Sequence, residues 1–187
     1  MQAINADSDP RKRLLAATER LIYAGGICAT GMDAIVRESG VARKTIYHHF
    51  PNKDELVAAA LAARDLRWMD WFIERSSRAA APAARLLASF DALEEWFSMP
   101  DFRGCAFINA AGEIADEGPI RAVTREHKAK LRDYLRALAK EAGAADPDEL
   151  AAALLILIDG AITVALVTGR KEAAREAQQV ARKLLPS

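Results

Sequence analysis

The chain of 187 residues has no net charge, its 26 Lys and Arg being matched by 26 Asp and Glu. Proteins that bind nucleic acid usually carry a basic excess that neutralises phosphates, so the total by itself argues against such a partner. Cysteine is scarce too. Cys28 and Cys105 stand far apart, without the CxxC or Cys/His spacing of a zinc site or redox pair, and read as free thiols in a reducing cytoplasm. The opening MQAINADSDPRKR has no apolar stretch, so no secretory signal is expected. Long polar low-complexity tracts are also missing. With 51% apolar and 28% charged residues, the chain has material for one large or two small folded domains.

One long apolar run is present. Residues 150–169 hold a single charge, Asp159, near their midpoint, and match the length of about 20 residues that a bilayer requires. A central Asp costs about 2.5–3.5 kcal/mol on insertion, and Gly160 and the many alanines give little to offset it. The expectation is no membrane. The run reads instead as a helix buried on most sides, in a core or between two subunits.

Alternation with period two is absent, whereas apolar residues recur every three or four positions between Gly and Pro breakers. The chain is therefore expected to be all-α. Ser8 or Asp9 before Pro10 signals the first helix, with Leu14, Leu21 and Ile22 on its apolar stripe. Residues 52–75 contain no internal Gly or Pro and read as one rod. Further helices are expected from Pro82 to near Ser98, over 105–117, after Gly118-Pro119 with Ile120, Val123, His127, Leu131, Tyr134 and Leu138 on one face, behind the Asp146-Pro147-Asp148 cap, and over 170–185.

Residues 32–50 carry the most information. Two helices of two turns each are joined through Gly40, which supplies the left-handed position that ends the first, and a preceding helix can pack across both. This is the plan of a helix-turn-helix unit. With Ile35, Val36, Val41, Ile46 and Phe50 turned inward, Arg43, Lys44, Thr45, Tyr47 and His48 occupy the outer side of the second short helix. Cations, a hydroxyl and a phenol are groups that read base edges and fix phosphates in a major groove. An ordinary polar surface is the plain alternative.

The segment Gly40-Val41-Ala42-Arg43-Lys44-Thr45-Ile46-Tyr47-His48-His49-Phe50-Pro51-Asn52-Lys53-Asp54-Glu55-Leu56 resembles the recognition-helix signature of the TetR family of bacterial transcriptional repressors, and Gly26, Ala29-Thr30 and Ile35 fit it upstream. The resemblance implies an N-terminal three-helix helix-turn-helix DNA-binding domain, residues 1–51, and a C-terminal helical ligand-binding and dimerisation domain, residues 52–187. It further implies a homodimer on a palindromic double-stranded operator, released by a small molecule. By position, Arg43, Lys44 and Tyr47 approach base edges, while Thr30, Thr45, His48 and Lys53 hold phosphates. Two departures weaken the pattern: Ala42 and Gly31 each stand where a hydroxyl often caps a helix and meets a phosphate, which shifts affinity onto Arg43 and Lys44.

Other motifs are weak. The Gly26 to Gly31 spacing lacks the Lys-Ser/Thr of a phosphate loop, since Met32-Asp33 follows it. His48 and His49 point about 100° apart on a helix and cannot chelate one ion, so His48 is assigned to DNA and His49 to the helix that follows. No GxSxG, HExxH or dinucleotide fingerprint is present, no catalytic residue is assigned, and no cofactor or metal is expected. In the second half, Trp68, Phe72 and Phe107 with the polar insertions Asn109, His127 and Tyr134 fit either a core or a cavity for a largely apolar effector. Residues 150–185 are the expected homodimer interface, with Asp159 needing a partner there. A small all-helical enzyme and a dimerisation module without ligand are the competing readings.

The charge total resolves by segment. Residues 10–53 carry eight Lys and Arg against three Asp and Glu, a net +5, and residues 54–187 carry −3. Neutrality is thus a sum of opposite fields, with the basic one on the segment expected to meet DNA.

Overall fold

A computed structural model describes residues 9–185. Among these residues the chain forms nine helices and no strand: α1 (Pro10–Gly25), α2 (Met32–Ser39), α3 (Arg43–His49), α4 (Lys53–Ser76), α5 (Pro82–Phe97), α6 (Ala106–Glu113), α7 (Pro119–Glu141), α8 (Pro147–Thr168) and α9 (Ala173–Leu184).

The punctuation acts as the residue types dictate. Asp9 accepts a hydrogen bond from the Arg11 N–H at 3.0 Å and Pro10 occupies the first turn, whose missing N–H costs nothing there. Ser8, the other expected cap, lies outside the described residues. Gly40 adopts φ 64° and sends its N–H to the Val36 carbonyl at 3.0 Å, which ends α2 after two turns. The Asn52 side chain accepts from the Glu55 N–H at 2.9 Å at the start of α4. Asp146 accepts from the Asp148 and Glu149 N–H groups at 3.0 and 2.9 Å and starts α8. Two elements are shorter than their sequence pattern: α6 ends at Glu113 rather than 117, and α9 begins at Ala173 after a turn.

The chain packs as two compact units, and the division does not follow one cut in the sequence. The first comprises the described residues up to Asp65 together with Ala106–Thr124; the second comprises Leu66–Cys105 and the described residues from Arg125 onward. The first unit is built on Leu14, Leu15, Ile35, Val41, Ile46, Phe50, Leu56 and Ala60, with Leu21, Met32 and Val36 at its edge. Each large side chain buried here contributes about 1.5–3 kcal/mol, which is how two helices as short as α2 and α3 hold a fixed geometry.

In the second unit Phe72, Leu86, Phe90, Leu93, Leu131, Leu135, Leu154 and Ile158 are fully buried. Ala173, Ala174, Ala177 and Ala181 recur at helical spacing and let α9 lie close to its neighbours. Helix α8 is long and apolar enough to cross a membrane by length and composition alone, with mean hydropathy 2.5. Within the chain only one of its faces is buried. Ile156 is 72% and Val167 77% exposed on another. The polar partner expected for Asp159 across a dimer is found within the chain: Lys128 Nζ lies 2.5 Å from its carboxylate.

Candidate nucleic-acid interface

Helix α3 is held by Ile46, fully buried, and by Phe50 just beyond its end. By helical periodicity Lys44 and His48 lie opposite Ile46 and Tyr47 on its flank, while Arg43, in the first turn, lies nearer the Ile46 side; Arg43, Lys44, Tyr47 and His48 are all exposed. Thr45 is half-buried between the two faces. Arg43 forms an ion pair with Asp33 in the first turn of α2, which orients the guanidinium along the edge shared by the two helices. Neither Gly31 nor Ala42 provides a side-chain cap to α2 or α3. The anchored helix therefore offers two cations, a phenol and an imidazole side by side, a set able to pair with phosphates and base edges.

Two expected orientations, those of Thr30 and His49, are corrected, and that of Lys53 is narrowed. Thr30 is 5% exposed, and its hydroxyl donates to the Gly26 carbonyl at 2.6 Å. Its single donor is used inside the α1–α2 turn, so it cannot at the same time hold a phosphate. Lys53 also turns inward, its ammonium donating to the Ile27 carbonyl at 2.6 Å, although two of its three N–H donors remain for another acceptor. His49, assigned to the following helix, is exposed instead, edge-on to His48 with ring centroids 5.6 Å apart. The inward role belongs to Phe50. Among the described residues no group of three His, Cys, Asp or Glu is arranged to hold a metal ion.

The residues expected around an effector are divided. Trp68 stacks on Phe72 at 4.8 Å and meets Trp96 at 5.5 Å and His127 at 5.3 Å edge-on, while Phe72 meets Tyr134 at 6.1 Å. His127 is 2% exposed. The Ser76 hydroxyl donates to the Phe72 carbonyl at 2.8 Å and so accepts from the Tyr134 hydroxyl at 2.5 Å, which satisfies that phenol within the chain. The Trp68 indole N–H is different: it is buried and has no hydrogen-bond partner among the described residues. Phe107 and Asn109 belong to the first unit, not to this aromatic group. Asn109 borders a crevice with Ile22, Tyr23, Leu61 and Glu113 whose space, about 10 Å³, is that of one water. A groove of about 410 Å³ in the second unit is bordered by Ala144, Ala145, Glu149, Leu150, Ala153 and Leu184, none of them expected as ligand contacts.

Glu113 was not legible as a functional residue. Its Oε1 accepts from the Ile27 N–H at 3.0 Å and its Oε2 from the Cys28 N–H at 2.8 Å, across 86 and 85 positions of sequence. No local pattern announces such a contact.

A family model described as bacterial regulatory proteins of the tetR family matches residues 14–60, and one described as a tetracyclin repressor-like C-terminal domain matches residues 82–181. Among curated proteins, the chain is 43% identical over 54 residues to the uncharacterized HTH-type transcriptional regulator YxaF of Bacillus subtilis, 28% of each protein. It is 29% identical over 135 residues to the HTH-type transcriptional repressor KstR of Rhodococcus jostii, covering 64% of this chain and 62% of that one. The chain thus spans less than two thirds of the length of these relatives. Among solved structures, SCO4454 of Streptomyces coelicolor, a TetR-family transcriptional regulator, superposes with a TM-score of 0.86 at 28% identity, covering 94% of this chain and 93% of that one. The fold is also that of reduced E. coli NemR, with a TM-score of 0.87 at 20% identity over 96% of this chain and 98% of that one.

Proposed function

Since the chain belongs to the TetR family, whose members are transcriptional regulators rather than enzymes, bind operator DNA and function as dimers, we propose that it is a cytoplasmic, ligand-responsive repressor of a palindromic operator. The observation that carries the reading is the outer face of α3, where Arg43, Lys44, Tyr47 and His48 stand exposed on a helix pinned by Ile46. In this account Arg43, Lys44 and Tyr47 meet base edges in the major groove, and Thr45, His48 and the spare donors of Lys53 meet phosphates. The description of KstR as a repressor supports the sign of regulation.

The dimer interface is assigned to residues 150–185. Ile156, Val164 and Val167 on α8 and Val180 and Leu184 on α9 are large apolar side chains left exposed by one chain, a concentration that a second copy would cover. Two copies of the pair α8 and α9 make a four-helix interface. Twofold symmetry then sets two α3 helices to enter successive major grooves about 34–36 Å apart. The effector is assigned to the aromatic group of Trp68, Phe72, His127 and Tyr134. The support for this is the Trp68 N–H, which a largely apolar molecule carrying one acceptor would satisfy; such a molecule releases DNA only by binding more tightly to the conformation that does not hold the operator.

The test is a gel shift on a duplex that the wild-type chain has selected from a random pool. Lys44→Ala and Tyr47→Ala are expected to abolish retention while the protein stays dimeric. Unchanged retention in both removes α3 as the reading element.

A further inference from the structure

The α1–α2 turn, residues 26–30, is tied from three directions. Within the turn, the Thr30 hydroxyl and N–H bond to the Gly26 and Ile27 carbonyls at 2.6 and 3.3 Å. From the start of α4, Lys53 reaches the Ile27 carbonyl at 2.6 Å. From the end of α6, the two oxygens of Glu113 take the adjacent N–H groups of Ile27 and Cys28. The backbone is shaped for that carboxylate. Gly26 sits at φ 91°, and a Cβ built there would lie 2.9 Å from Glu113 Oε2, closer than real contacts allow.

Glu113 is also out of place by local rules. It is the last residue of α6, where a negative charge opposes the helix dipole, and no basic residue occupies that turn. A residue that breaks a local preference needs a gain elsewhere. Here the gain is a pair of charge-assisted hydrogen bonds to the turn that delivers the chain into α2.

We propose that Glu113 is a positioning residue for DNA binding: through Ile27 and Cys28 it fixes the entry to α2, and through the α2–α3 packing it fixes the angle at which Arg43, Lys44 and Tyr47 are offered. Any displacement of the end of α6 is then passed to the α1–α2 turn by these two hydrogen bonds. The inference rests on the DNA-binding reading above.

The test uses the full-length dimer and the duplex selected by the wild-type chain. Glu113→Ala is expected to bind that duplex about tenfold more weakly, with a shallower dependence of affinity on salt because a misplaced α3 loses phosphate contacts. Amide exchange is expected to accelerate at Ile27 and Cys28, with a fall in melting temperature no larger than the loss of two hydrogen bonds brings. Glu113→Gln keeps the size and one acceptor, and is expected to fall between the two; it decides the matter if Glu113→Ala folds poorly. Wild-type affinity and salt slope in a folded Glu113→Gln or Glu113→Ala, with exchange at Ile27 and Cys28 accelerated or not, overturns the proposal. So does a loss of affinity that follows a lower melting temperature with the slope unchanged. If the wild type selects no duplex, the DNA-binding reading itself fails, an outcome separate from both.

Discussion

Lys128 on α7 reaches Asp159 on α8 at 2.5 Å, with side chains 24% and 29% exposed, so the one charge beyond the first turn of the most apolar helix is neutralised within the chain. This pair accounts for Asp159 in a helix that is long and apolar enough to cross a membrane by length and composition alone. Lys128→Met leaves a half-buried carboxylate unpaired and is expected to destabilise the fold by about 1–3 kcal/mol, between the values for exposed and buried pairs. Adding Asp159→Leu is expected to restore most of the loss. Urea denaturation followed by circular dichroism measures both, and additive losses would contradict a direct pairing.

The exposed apolar residues of α8 and α9 make the dimer testable without DNA. Ile156→Glu and Val167→Glu, at 72% and 77% exposure, cost a single chain almost nothing. In the proposed interface each would bury a charge. Sedimentation velocity is expected to show monomers with wild-type helicity, and operator binding is expected to fall with dimer content. Persistent dimers in both variants would move the interface elsewhere.

Trp68→Phe removes a buried N–H that has no partner while keeping an aromatic ring on Phe72. Loss of apolar area and relief of an unsatisfied donor act in opposite directions, each about 1–3 kcal/mol. Thermal stability is therefore expected to stay within about 1 kcal/mol of wild type by that balance. The affinity for an effector found by thermal shift is expected to drop about tenfold through loss of one hydrogen bond. Unchanged effector affinity would exclude the indole as a contact.

How much the sequence reveals depends on the range of the interactions. Helices α1 to α3 were legible because Asp9-Pro10, the left-handed Gly40 and the spacing of Ile35, Val41, Ile46 and Phe50 are local signals that tertiary packing reinforces. The exposure of Lys44, Tyr47 and His48 follows from the same spacing, whereas that of Arg43, three positions before Ile46, does not. The direction of Thr30 was not legible, since a hydroxyl at a turn serves backbone or phosphate equally well until the Gly26 carbonyl is located beside it. His49 was misdirected because Phe50, one position on, supplies the buried ring that the core requires. The Glu113 contacts connect positions separated by 85 or more residues and have no periodic signature. For the same reason the grouping of Phe107 and Asn109 with the first unit was invisible: α6 returns to the elements at the beginning of the chain.

The central claim is that the outer face of α3 reads sequence, and a base-by-base affinity profile tests it most directly. Wild type and Lys44→Ala are titrated against duplexes carrying every single substitution in one half-site. Lys44→Ala is expected to lose about 1–3 kcal/mol of discrimination at one or two adjacent base pairs and to keep the rest of the profile. An unchanged profile, or the same weakening at every position, would contradict the claim and reduce Lys44 to a phosphate contact or less.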